Sequence, residues 1–163
     1  MYNLKTIWRL DAPRQPIWDA LIAADQWPLW WRYVSNVELL QSGEAGSLSS
    51  RRRFTWTSRL PYRLCFDVRV RALAEHNWIE ADVSGDLKGT GKWLLSDFED
   101  STLVTYIWTV STEKAWMKVL APVLAPVFIW NHNQVMNEGA KGLASYLGVA
   151  LLAFEQSRNL PQN

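Results

Sequence analysis

One polar side chain interrupts an otherwise apolar helical stripe in this sequence. Met117, Leu120, Leu124, Phe128, Asn131, Val135, Gly139, Leu143 and Leu147 recur at spacings of three and four, so Asn131 shares a helix face with Phe128 and Val135. A buried amide must find a hydrogen-bond partner. Two partners fit: the edge of a neighbouring sheet, or the polar head of a ligand in an otherwise apolar cavity. His132 adjoins Asn131 but lies about 100° around the helix, so it is expected to face solvent and ranks below Asn131.

Arg52 is the second candidate. It sits in the run Arg51-Arg52-Arg53 and shares the strand face of Phe54 and Trp56. Pointing inward, its guanidinium could stand at a pocket mouth and pair a carboxylate or phosphate. The alternative is a charged strand end or edge that discourages pairing with other strands.

Other chemistry finds little support. Gly85 to Lys92 invites comparison with a phosphate-binding loop, but Trp93 stands where Ser or Thr should hold magnesium, and a strand rather than a helix follows. His76, His132 and Cys65 have no metal-ligand spacing, and His76 is expected to be solvated. No nucleophile-elbow pattern supports a hydrolase triad. Neither a metal, a cofactor nor a catalytic residue is assigned.

The elements that must position these residues follow from periodicity. Lys5 to Leu10 alternates as a strand. Asp11-Ala12-Pro13 opens a short helix with Asp11 as the expected N-cap, and Asp25 to Trp31 restarts a second. Strands are then expected from Val34, over Leu48–Ser58 and Tyr62–Ala72, around Ile79–Val83, around Trp93–Leu95, and over Leu103–Thr112. Turns separate them, one at Ser42–Gly46, and Gly85, Gly89 and Gly91 should bend the sheet. The long helix follows; Pro122 and Pro126 predict either a start near Pro122 or a kink there. Gly148 is its expected C-cap. The reading is one α+β domain over 1–150 with a C-terminal tail over 151–163, in which Val149 to Phe154 can continue packing and Glu155 to Asn163 is polar.

On that alternation Phe54, Trp56, Phe66, Trp93, Tyr106 and Trp108 fall on the concave face. They are either a cavity lining suited to flat rings or a solid aromatic core. The 11 tryptophans in 163 residues favour the first of these.

Bulk composition sets the outer limits. Hydrophobic residues make up 48% and charged residues 20%, ordinary for a soluble globular protein. A net charge of +1 gives no field for nucleic acid. The single cysteine fits a reducing compartment, and Met1 to Leu10 lacks the apolar core of a signal peptide, so a cytoplasmic location is expected.

Strand, two short helices, about six or seven antiparallel strands and one long amphipathic helix resembles the START-like helix-grip (SRPBCC) superfamily. The resemblance is closest to its polyketide cyclase/dehydrase and lipid-transport branch. Asp11-Ala12-Pro13 with Ile17-Trp18, Trp30-Trp31, Gly85 to Gly91 before Trp93, and Asn131 to Met136 leading to Gly142-Leu143 carry it. It implies a curved sheet gripping the helix around a cavity for a hydrophobic small molecule such as a lipid, quinone or polyketide-like compound. The residues expected to line that site are Arg52, Phe54, Trp56, Phe66, Trp93, Tyr106, Trp108, Phe128, Asn131 and Val135.

The rival expectation is a cyclase, aromatase or dehydratase in which Tyr106, Asn131 and Arg52 position substrate and move protons. A third concerns Trp116 to Trp130, apolar with tryptophan at both ends like a membrane-surface segment. Burial of that segment against the sheet is the simpler expectation. Oligomeric state has no signature in the sequence.

Overall fold

The computed structural model describes residues 1–44 and 47–158, so Ala45 and Gly46 of the expected Ser42–Gly46 turn and 159–163 of the expected tail lie outside the described residues. A single antiparallel sheet of eight strands curves around one long helix. The strands are β1 (Tyr2–Leu10), β2 (Val34–Gln41), β3 (Arg51–Trp56), β4 (Leu64–Ala74), β5 (Trp78–Gly85), β6 (Leu87–Phe98), β7 (Ser101–Thr112) and β8 (Leu151–Arg158). Between β1 and β2 lie α1 (Arg14–Ile22), a 3-10 turn at Ala24–Gln26 and α2 (Trp27–Trp30); α3 spans Ala115–Leu147. The sheet order is β2-β3-β4-β5-β6-β7-β1-β8.

β8 is the main departure from the sequence reading, which ended the domain at 150. Leu151 to Arg158 pairs with β1 from Leu10 back to Leu4, and the Asp11 amide donates to the Ala150 carbonyl at 3.0 Å. Leu151 to Phe154 is a run of four apolar residues followed by polar ones, too short to separate from a tail by pattern. The unpaired edge of β1 is what recruits it. Two smaller departures concern caps and arginines. Pro13, not Asp11, stands at the N-cap of α1, and no side chain caps it. β3 is an interior strand between β2 and β4, so the arginine run marks no sheet edge.

Gly89, with φ +151°, brings its backbone so close to β7 that a Cβ would meet the Thr109 carbonyl oxygen at 2.0 Å. This is the close approach expected of the glycines here. β5 and β6 form an antiparallel ladder, Ile79 opposite Trp93 and Val83 opposite Gly89, in place of a phosphate-binding loop.

α3 is one helix through Pro122 and Pro126 rather than one that starts at Pro122. Both prolines are exposed, so water can reach the carbonyls they leave unpaired. Its C-terminal half grips the core through Met136, Gly139, Ala140, Leu143 and Ala144, all buried. Its N-terminal half buries only Met117 and Phe128. Val119 and Val123 are each 76% exposed, and Trp116, Leu120, Val127 and Trp130 are exposed beside them. The expected burial of this segment against the sheet is therefore overturned. A helix apolar on every side can turn only one side to the sheet.

Candidate functional site

Two short helices and two glycines build the floor of the site. α2 packs on α3 so closely that a Cβ on Gly142 would meet the Trp30 carbonyl oxygen at 1.8 Å. One on Gly139 would meet the Trp31 ring at 2.3 Å. Trp31 is buried and donates its indole N–H to the Val135 carbonyl at 2.9 Å. Its ring centroid lies 4.9 to 6.2 Å from those of Trp8, Trp27, Trp30, Trp56 and Trp93. These separations suit stacked and edge-to-face pairs. Five of the other ten tryptophans that the sequence scatters are thus gathered around one ring.

Above this floor, between sheet and α3, is a cavity of about 200 Å³. All ten residues expected from the sequence line it: Arg52, Phe54, Trp56, Phe66, Trp93, Tyr106, Trp108, Phe128, Asn131 and Val135. Space therefore remains in front of the aromatic face. On the sheet the rings form a continuous band. Trp93 stacks on Tyr106 at 4.1 Å, Tyr106 on Trp108 at 5.4 Å, Trp108 meets Phe66 at 5.8 Å, and Phe66 stacks on Trp56 at 6.4 Å. Gly91, opposite Trp108 in the ladder, leaves room for this. A Cβ there would sit 2.8 Å from the Trp108 ring and 3.0 Å from the Tyr106 hydroxyl.

Strand register sets two ends of the cavity. At one, Arg52 stands opposite Val68 and Val70 opposite Ala81. Arg52 does point inward and is only 14% exposed, but the carboxylate it meets is the protein's own. Its Nε and Nη2 donate to Asp25 at 3.1 and 3.2 Å, and Nη1 donates to Ser50 Oγ at 2.9 Å. Strand alternation sends Arg51 and Arg53 to the opposite face, where both donate to the buried carboxylate of Asp67. The hydrogen bonds from Arg53 and then Arg51 hold that carboxyl below its usual pKa, against the opposing effect of burial.

The other end is reached through Trp56 opposite Leu64, Leu87 opposite Thr112, and Tyr2 opposite Val110. Here the rings of Tyr2 and Tyr62 stand edge-on to Phe128 at 6.4 and 6.3 Å, and Tyr62 also meets Trp116 at 5.5 Å. Burial raises the pKa of Tyr62, the Tyr2 hydroxyl raises it further, and neighbouring Asn131 pulls it back. Burial also pushes Tyr106 well above the ordinary phenol value.

The site residues that sequence reasoning missed are His132, Tyr2, Tyr62 and Trp31. His132, expected to face solvent, lines the cavity, its Nε2 buried without a partner. Burial lowers its pKa to about 4. The helical wheel placed it one step off the stripe. A cavity spans more of a helix face than a packed contact does, so that step does not take it out. Tyr2 lay ahead of the alternating pattern, whereas Tyr62 opened the expected strand Tyr62–Ala72 in phase with Leu64 and Phe66, a parity that could have found it. His76, by contrast, is a turn residue with φ +58° packed edge-on against Trp18. Among the described residues no group of three His, Cys, Asp or Glu side chains could hold a metal ion.

No protein-family model matches this chain, and no curated protein sequence matches it. Solved structures do. A START superfamily protein from Mycobacterium smegmatis superimposes with a TM-score of 0.74 over 91% of this chain and 98% of its own, at 16% identity. The fold is START-like. TTHA0849 from Thermus thermophilus matches this START-like chain with a TM-score of 0.71 over 88% of the chain and 98% of its own, at 11% identity. The di-domain aromatase/cyclase StfQ from the steffimycin biosynthetic pathway matches with a TM-score of 0.67 over 90% of the chain but 52% of its own, at 12% identity. At these identities the likeness concerns fold alone.

Proposed function

We propose that this protein binds a hydrophobic ring compound between the sheet and α3, the reading supported best by one observation. A closely packed core holds few voids larger than a water molecule, yet about 200 Å³ stays open here in front of a continuous band of aromatic rings. A dry cavity of about 150 Å³ accommodates benzene. The space therefore suits one or two rings and falls below the range of about 300 Å³ upward typical of drug-sized ligands. Within the expected class, a quinone or small polyketide-like ring fits better than a full lipid or a multi-ring polyketide.

The rival reading, a cyclase or dehydratase, has less to work with. Arg52 is already closed on Asp25, and burial makes Tyr106 a poor base at neutral pH. Calorimetric titration with 2-methylnaphthalene is expected to give saturable binding. Ala81→Phe, which adds a ring to the cavity wall, should weaken it at least 10-fold while leaving the unfolding midpoint within a few degrees. Absence of binding to the wild type, together with an empty pocket in native mass spectrometry, would refute the reading.

The exposed face of α3 favours a second role at an anionic membrane surface. No acidic residue lies between Glu113 and Glu138, tryptophans stand at both ends of the exposed stripe, and Lys114 and Lys118, paired with Asp86 and Glu113, flank its start. The stripe also adjoins the cavity, since Trp116 packs edge-on against Phe128 and Tyr62, both of which line it. No helix of the described residues is long and apolar enough to cross a membrane, so the contact would be superficial. The protein is expected to float with phosphatidylserine-containing vesicles, and the double variant Val119→Glu, Val123→Glu to stay at the bottom. Wild-type protein left at the bottom rules the contact out.

A further inference from the structure

The hydrophobic-ligand reading can be taken one step further, to the charge and polarity of what is bound. We propose that the cavity selects an uncharged ring compound bearing a hydroxyl or carbonyl group and rejects the carboxylate of the same ring system. The proposal rests on the binding function put forward above and adds a rule of discrimination to it.

The charge argument comes from the lining. Among the described residues Arg52 is the only lysine, arginine, aspartate or glutamate in the cavity wall, and Asp25 already holds it through two hydrogen bonds. His132, the remaining basic group in the wall, is neutral at pH 7 because burial holds its pKa at about 4. Burial keeps Tyr62 and Tyr106 protonated. The cavity thus presents a neutral, apolar interior. A carboxylate entering it would lose its hydration and meet no free cation, and an ammonium would meet no free anion.

The polarity argument comes from atoms left without partners. Tyr2 Oη, Trp56 Nε1, Asn131 Oδ1 and His132 Nε2 are each buried and make no hydrogen bond within the protein. All four side chains belong to the cavity wall, and such groups are uncommon in a finished interior. Their chemistry is mixed. The indole can only donate, the amide oxygen can only accept, and the phenol and neutral imidazole can do either. A hydroxyl both donates and accepts, and a carbonyl accepts from the donors. A carboxylate would only accept, placing negative charge beside the Asn131 oxygen.

Calorimetry at pH 7.5 with 2-naphthol, 2-naphthoate and 2-methylnaphthalene separates the possibilities on one ring frame. The expected order is 2-naphthol tightest, 2-methylnaphthalene next and 2-naphthoate at least 10-fold weaker than 2-naphthol. Asn131→Leu should bring 2-naphthol down to the level of 2-methylnaphthalene while leaving the latter within about twofold. Equal or tighter binding of 2-naphthoate overturns the proposal but leaves the hydrophobic reading intact. Loss of that naphthoate binding in Arg52→Met would then show that Arg52 had left Asp25 for the ligand. Equal binding of 2-naphthol and 2-methylnaphthalene overturns the role of the unpartnered atoms. Failure of all three compounds to bind overturns both readings together.

Discussion

Trp31→Ala is expected to lower the unfolding free energy by about 3–5 kcal/mol, the range for truncating a large buried aromatic. Trp31 is 1% exposed and touches five other tryptophans. It fills the space that Gly139 leaves vacant and bonds the Val135 carbonyl across the α2–α3 contact. Its removal would open a hole at the centre of the cluster, and the helices cannot collapse into it without giving up the Trp30–Gly142 contact. Trp31→Phe should cost less, keeping much of the ring while losing the hydrogen bond. Urea denaturation followed by far-ultraviolet circular dichroism reads both, since ten other tryptophans would complicate a fluorescence signal. A cost below about 1 kcal/mol for Trp31→Ala would mean that the cluster does not hold α2 on α3.

The second large effect is a dependence of stability on pH set by His132. Its folded pKa of about 4 lies below the ordinary 6.5 because burial penalises the imidazolium. Between those two values the unfolded chain binds a proton that the folded chain does not. Stability from this group is therefore complete above about pH 6.5, falls as pH drops toward about 4, and changes no further below that. At about 1.4 kcal/mol per pH unit the full loss is up to about 3 kcal/mol. Asp67, held by Arg51 and Arg53, loses its own contribution only as pH falls toward and below its ordinary value near 3.8, so the two windows barely overlap. Urea unfolding at pH 7.5 and pH 4.5 should show the drop in the wild type and a much smaller one in His132→Gln. An equal drop in both proteins would assign the acid sensitivity elsewhere.

Much of this site could be read before any coordinates. Period-two alternation put Phe54, Trp56, Phe66, Trp93, Tyr106 and Trp108 on one side of a sheet, and period three to four put Phe128, Asn131 and Val135 on the facing side of a helix. Two faces of apolar residues in one small domain have only each other to cover them. That is why all ten named residues meet at the cavity. Composition added the tryptophan excess that pointed to rings rather than aliphatic packing.

Other features depended on distances that no periodicity encodes. Arg52 reads as inward from alternation alone, but its pairing with Asp25 brings together a strand and a turn 27 residues away in the chain. That pairing changes the cavity from one that could anchor an anion to one without a free charge. The strand at Leu151–Arg158 exists because β1 has a second edge to satisfy. The exposed stripe on α3 exists because the cavity-side face of its N-terminal half takes up only Met117 and Phe128. Sequence by itself determined most of the residues that face the space between sheet and helix, because facing follows from local backbone period. Tertiary structure alone decided how large that space is and which polar groups remain free within it, because both are set by how separate elements pack.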